Sequence, residues 1–200
     1  MLNKQAQHLI APIFVRITHW LNAIAVLVMI MSGLKIYNAS PIFNFMIPRE
    51  ITLGGWLGGA LLWHFAFMWL LAVNGFVYLV LNLLTGRFWK KFFPLSPKEL
   101  VQDFLDTLKG KLSHEDLSKY NTIQKLAYLS VIFDLIILVM SGLAIWKSVQ
   151  FPLLREVMGG FDNARVVHFI AMSYAIFFIT VHLIMVALVP KTLLIMIRGR

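Results

Sequence analysis

Residues 165–183, RVVHFIAMSYAIFFITVHL, leave the chain few ways to fold. The run is long and apolar enough to cross a bilayer as a helix, yet it carries His168 and His182. Their fourteen-residue spacing returns to within roughly 40° of the same helix face and climbs about 21 Å along the axis. One helix thus offers two imidazoles on one side, one in each leaflet. A lone intramembrane histidine can be a core residue bonded to a backbone carbonyl, but two on one face ask for partners on neighbouring helices.

The composition agrees with a membrane setting. The chain has 200 residues, 60% of them hydrophobic and only 14% charged, with a mean hydropathy of +0.79. A soluble domain of this size does not carry so much apolar surface. The expectation is an all-α integral membrane four-helix bundle with little left for a soluble domain. The absence of cysteine excludes disulfides, a thiolate ligand, an iron–sulfur cluster and covalent CxxCH haem attachment. The net charge of +9 is read here as a topology signal, with no nucleic-acid partner. The first apolar run follows a polar start, lacks a small-residue cleavage site and itself carries His19, so no cleavable signal is expected. No clear internal repeat is expected either.

Four spans are expected at about residues 14–36, 53–84, 122–146 and 166–189, in a single domain over residues 1–200. The first holds His19 and Asn22 early and Ser32-Gly33 late. The second opens GGWLGGALLWH, with Gly54, Gly55, Gly58 and Gly59 at helical spacing. These glycines suit either close helix packing or room for a flat macrocycle before His64. Between the second and third spans lies a polar, basic loop, residues 85–121. Its LSPKELVQDFLDTLKGKLS reads as an amphipathic surface helix capped by Ser96, with Pro97 at the first position and Glu99 at the third. His8 and His114 are given no role.

Lys and Arg sort the two sides. Lys4, Arg16, Arg87, Lys90, Lys91, Lys98, Lys109, Lys111, Lys119, Lys125, Lys191, Arg198 and Arg200 fall at the two ends and in the middle loop. Only Lys35, Arg49, Lys147, Arg155 and Arg165 fall in the other two loops. Both termini are therefore expected in the cytoplasm. His19 and His182 then lie towards the cytoplasmic side. His64 stands 23 residues before Arg87 and His168 stands 23 before Lys191, which puts both about 35 Å above the cytoplasmic charge line.

The expected pairs are His64 with His168 and His19 with His182. Two imidazoles from facing helices are what a b haem takes, so two haems b are expected. Zinc usually wants three or four clustered ligands, and each pair supplies two. Arg16 and Arg165 each precede a ligand by three residues and could meet haem propionates or snorkel to the interface. Each histidine also needs an acceptor for its other nitrogen, which the sequence does not identify. At the start of the third span, Tyr120, Asn121 and Gln124 could contact a quinone carbonyl; Asn121 with Gln124 could equally cap the helix. Asp134, in mid-span, is a costly buried carboxylate that could relay protons or sit neutral and hydrogen-bonded.

RITHW in the first span, His64 in the second, KYNTIQK opening the third, SGLAIW closing it, and a last helix with two histidines fourteen apart resemble the bacterial dihaem cytochrome b subunits. That group includes the membrane subunits of formate dehydrogenase, nickel–iron hydrogenase and thiosulfate reductase. ITLGGWLGGALLWHF, YNASPIF and KYNTIQKLAY are most similar to the thiosulfate-reductase-like branch. The resemblance covers nearly the whole chain. It implies a four-helix bundle in the bacterial inner membrane, two haems b held by the four histidines, and a menaquinone or ubiquinone site near the inner haem using Asn121. It also implies a periplasmic oxidoreductase partner, in that branch often a molybdopterin enzyme, with substrate catalysis in the partner chain. One rival is a self-contained b561-type oxidase passing electrons from a small reductant such as superoxide to quinone. The other is a non-redox membrane anchor or carrier whose histidines hold no haem.

Overall fold

The computed structural model describes residues 10–108 and 120–199. His8, His114 and the last part of the expected amphipathic segment lie outside the described residues. Four helices are long and apolar enough to cross a membrane: α1 (Ile13–Ala39), α2 (Leu57–Leu84), and two later ones of 25 and 28 residues. Between them and after them, in chain order, come α3 (Arg87–Phe92), α4 (Pro97–Leu108), α5 (Thr122–Trp146), α6 (Pro152–Val157), α7 (Phe161–Leu188) and α8 (Lys191–Arg198), with α5 and α7 the remaining two spans. At 1.5 Å per residue each span exceeds the roughly 30 Å of a hydrocarbon core. The protein is an all-α multi-pass membrane helical bundle.

Burial explains how these helices pack. Ala25, Ala60, Ala144, Ala164, Ala171 and Ala175 are buried, together with polar Ser32, Ser141, Asn74, Asn82 and Asp134. Large apolar side chains such as Leu62, Phe76, Phe133 and Phe177 are exposed. In lipid there is no hydrophobic gain from hiding leucine, so small residues that let backbones approach and polar residues that find partners go inward. Buried Asn74 donates to Asn22 Oδ1 at 2.7 Å, one such polar link between α2 and α1.

The described chain divides into two compact units, residues 20–76 with 131–177 and residues 1–19 with 77–130 and 178–200. In the first unit, the α1–α2 connection is tied back on α1. Asn38 clamps Ile47 through both of its amide groups at 2.8 and 2.9 Å, and Tyr37 donates to the carbonyls of Phe43 and Phe45. The chain then turns through Gly54 and Gly55, both at positive φ, into α2. This corrects the expectation for the glycines. The second span begins at Leu57, not near residue 53, and Gly54 and Gly55 shape a tight turn on which Gly58 and Gly59 close. A Cβ on Gly54 would lie 2.4 Å from Ala60 N, and one on Gly59 would lie 2.2 Å from Gly54 O.

In the second unit, the middle segment forms two helices where one was expected. Ser96 caps α4 through Glu99 N–H at 3.4 Å, and Val101, Phe104 and Leu105 leave an apolar face exposed, as a surface helix requires. α4 also serves α5. Thr122 N–H donates to Asp103 Oδ2 at 2.7 Å and Thr122 Oγ1 to Glu99 Oε2 at 3.3 Å, so two acidic side chains meet the positive end of α5. Asp103→Ala is expected to lower stability by about 1–2 kcal/mol, read as a lower unfolding midpoint in detergent; an unchanged midpoint would remove that role. The start of α1 and the end of α8 meet in this unit too. Ile10 and Ala11 N–H donate to Gly199 O, Arg16 donates to the carbonyls of Met196 and Ile197, and Arg87 donates to Ile10 O at 3.1 Å.

Candidate functional site

α2 and α7 bring His64 and His168 together, with ring centroids 6.3 Å apart and planes inclined at 66°. α1 and α7 bring His19 and His182 together at 6.1 Å and 65°. All four side chains lie inside long helices, about two turns from one end, so their positions are set by helix packing and not by loops. At these separations one metal atom fits between the two rings, about 2 Å from a nitrogen of each. Among the described residues there is no cluster of three or more His, Cys, Asp or Glu that could hold a metal ion. The donor set is therefore two imidazoles twice over, which suits a tetrapyrrole that supplies the equatorial ligands itself.

The surroundings of the pairs include contacts the sequence did not disclose. Ser32 Oγ on α1 lies 3.1 Å from His64 Nδ1, and Ser141 Oγ on α5 lies 2.9 Å from His168 Nδ1. Each is followed by a glycine, Gly33 or Gly142, beside the same ring. The tripeptide Ser-Gly-Leu at residues 32–34 and again at 141–143 is a short internal repeat; it singles out both serines without showing what they face. In the other pair, Phe178 stacks on His182, with centroids 6.0 Å apart and planes within 5°.

Arg16 and Arg165 are engaged with helix ends. Arg16 Nε donates to Met196 O at 3.3 Å, and Arg165 donates to the Ser40 carbonyl and, at 3.2 Å, to Ser40 Oγ. Asn121 and Gln124 form a reciprocal capping box: Gln124 N–H donates to Asn121 Oδ1 at 2.8 Å and Asn121 N–H to Gln124 Oε1 at 3.2 Å. The Tyr120 ring lies 5.0 Å from Tyr128 and 6.2 Å from Phe92, with Lys91 Nζ 5.2 Å from its centroid. Burial raises the Tyr120 hydroxyl above its ordinary range, with Arg87 pulling the other way. At neutral pH it is a protonated donor. Tyr120, Asn121, Gln124, His19 and His182 belong to one compact unit. Asp134 is buried on α5 with Oδ2 unpartnered, two turns before Ser141 on the same helix face.

A four-span bundle with paired interior imidazoles defines a class, membrane proteins built to hold redox metal centres between helices. The chain belongs to the prokaryotic cytochrome b561 family, whose family model matches residues 11–199. It is thus a b-type membrane cytochrome, and proteins of this family bind b haem. A protein of Azospira oryzae with the provisional name protein-methionine-sulfoxide reductase subunit YedZ1 is 63% identical over 190 residues, covering 95% of this chain and 96% of that protein. No solved structure matches the chain. Two expectations change. The family is cytochrome b561, and the thiosulfate-reductase-like branch is not carried forward. The periplasmic molybdopterin partner inferred from that branch is withdrawn with it, because the 63%-identical relative is named for methionine sulfoxide in proteins and not for the chemistry of that branch.

Proposed function

We propose that this chain is the membrane electron-transfer subunit of a quinone-linked system that reduces methionine sulfoxide in proteins. His64 with His168 and His19 with His182 would hold two haems b, and the two facing pairs are the observation that carries the reading. The relative's name supplies the partner class. The Lys and Arg distribution supports cytoplasmic termini in a bacterial inner membrane.

Bound b haem supplies one-electron exchange between ferric and ferrous iron. This chain's own residues do the rest. The helices hold the imidazoles in facing pairs and keep bulk water from them. Arg16 and Arg165 each carry five N–H donors, more than their carbonyl partners take up, and the remainder is assigned to propionates. Tyr120 donates to a quinone carbonyl, beside Asn121 and Gln124, and takes no part in the electron path itself. The quinone lies on the His19–His182 side.

In proteoliposomes, quinol is expected to reduce the haems of the purified protein, and Tyr120→Phe to slow that reduction by about tenfold, the loss of one hydrogen bond of about 1.4 kcal/mol. Electron flow from quinol to a methionine-sulfoxide peptide should require both this chain and its reductase subunit. The family assignment also favours a second reading, a self-contained b561-type oxidase. Haem reduction by superoxide with onward transfer to quinone, in the absence of any other subunit, would establish that reading and displace the first.

A further inference from the structure

His64 and His168 sit on different helices but are held by the same two residue types in the same arrangement. Ser32 on α1 faces His64 Nδ1 at 3.1 Å, and Ser141 on α5 faces His168 Nδ1 at 2.9 Å. A Cβ on Gly33 would stand 3.4 Å from His64 Cε1 and 3.8 Å from its Nδ1; one on Gly142 would stand at the same two distances from His168. Both serines are fully buried.

The partners assign the protons. Each serine hydroxyl has one proton and donates it, at 2.7 Å, to the carbonyl four residues back, Val28 or Ile137. Each Oγ therefore meets its imidazole as an acceptor, and Nδ1 is the donor. The proton stays on Nδ1 and the lone pair is left on Nε2.

We propose that Ser32-Gly33 and Ser141-Gly142 form a repeated cradle that positions His64 and His168 and fixes both as Nδ1–H tautomers, so that each offers Nε2 to haem iron. The inference rests on the reading of these two histidines as one ligand pair. The serines are positioning residues, acting through the ligands. An acceptor on Nδ1–H makes Nε2 the stronger donor and favours ferric iron. The glycines keep the ring edge clear: a Cβ would already be in van der Waals contact, and a longer side chain would displace the ring.

Ser32→Ala, Ser141→Ala and the matching threonine variants, purified with haem, would be compared by redox titration of the visible α-band and by EPR of the ferric form. Each alanine variant is expected to raise the midpoint potential of one and the same haem, to move that haem's low-spin signal, and to leave the other haem unchanged. The threonine variants, which keep the hydroxyl, should restore both readouts. Haem loss from an alanine variant, with the roughly 10–100-fold weaker binding of a ligand missing its partner and recovery in the threonine variant, would support the same conclusion. Unmoved potentials and spectra in both alanine variants would overturn the inference while leaving the ligand pairing intact. So would a threonine variant that fails to restore what alanine lost. Retention of both haems in His64→Ala would instead sink the ligand reading beneath it.

Discussion

His64→Ala and His168→Ala are each expected to lower haem b from two per chain to about one, and His19→Ala and His182→Ala to remove the other. The decisive comparison is between double variants. Removing both members of one pair should cost no more haem than removing one, because a single iron is lost either way. Removing one member of each pair should leave none. Such non-additivity within a pair and additivity between pairs is how sites that share a ligand set reveal themselves. It follows from centroid distances of 6.3 and 6.1 Å for the two facing pairs. Haem quantified per chain, with a reduced-minus-oxidised visible spectrum, decides the matter. A count unchanged by His64→Ala and His19→Ala alike would remove the ligand assignment and the electron-transfer function built on it.

The largest expected effect on stability lies away from the histidines. Gly54→Ala puts a Cβ 2.4 Å from a backbone nitrogen, at a residue whose φ is +108°. Gly59→Ala puts one 2.2 Å from the Gly54 carbonyl oxygen. Backbone cannot step aside as a flexible side chain would, so each substitution is expected to cost about 3 kcal/mol or more. Because this turn sets where α2 begins, at Leu57, seven residues before His64, Gly54→Ala should also loosen haem retention. Gly75→Ala is the control: it lies inside α2, and a Cβ there meets nothing within 4 Å. Unfolding midpoints for Gly54→Ala and Gly75→Ala that coincide would show the turn to be dispensable.

The histidine pairs could be read from sequence because helical periodicity and span direction are one-dimensional properties. Fourteen residues fix a face, and counting from basic residues fixes a depth, so the pairing of His64 with His168 and of His19 with His182 needed no coordinates. The third span reads as residues 122–146, where α5 lies, because Asn121 and Gln124 mark its start with an ordinary capping signal. The second span reads from sequence as starting four residues before α2 does, since glycines at helical spacing look helical until their φ angles are known. The serine contacts were missed for a different reason. Ser32 and Ser141 each satisfy their own helix through an i−4 carbonyl, and only three-dimensional packing shows that the same oxygens face histidines on other helices. The partner depends on surfaces and on another chain, and the resemblance led there to the wrong branch.

Asp134 bears on how the protein is made. A carboxylate at the centre of a span opposes partition from the insertion channel into lipid by about 2.5–3.5 kcal/mol. Among the four spans, α5 contains the most apolar window, and Asp134 lies near the middle of that helix. The surrounding leucines, isoleucines and valines outweigh the acid, so α5 can enter the bilayer without waiting for a neighbour to shield it. The acid is carried by the segment best able to deliver it, and the order in which the helices assemble is left free.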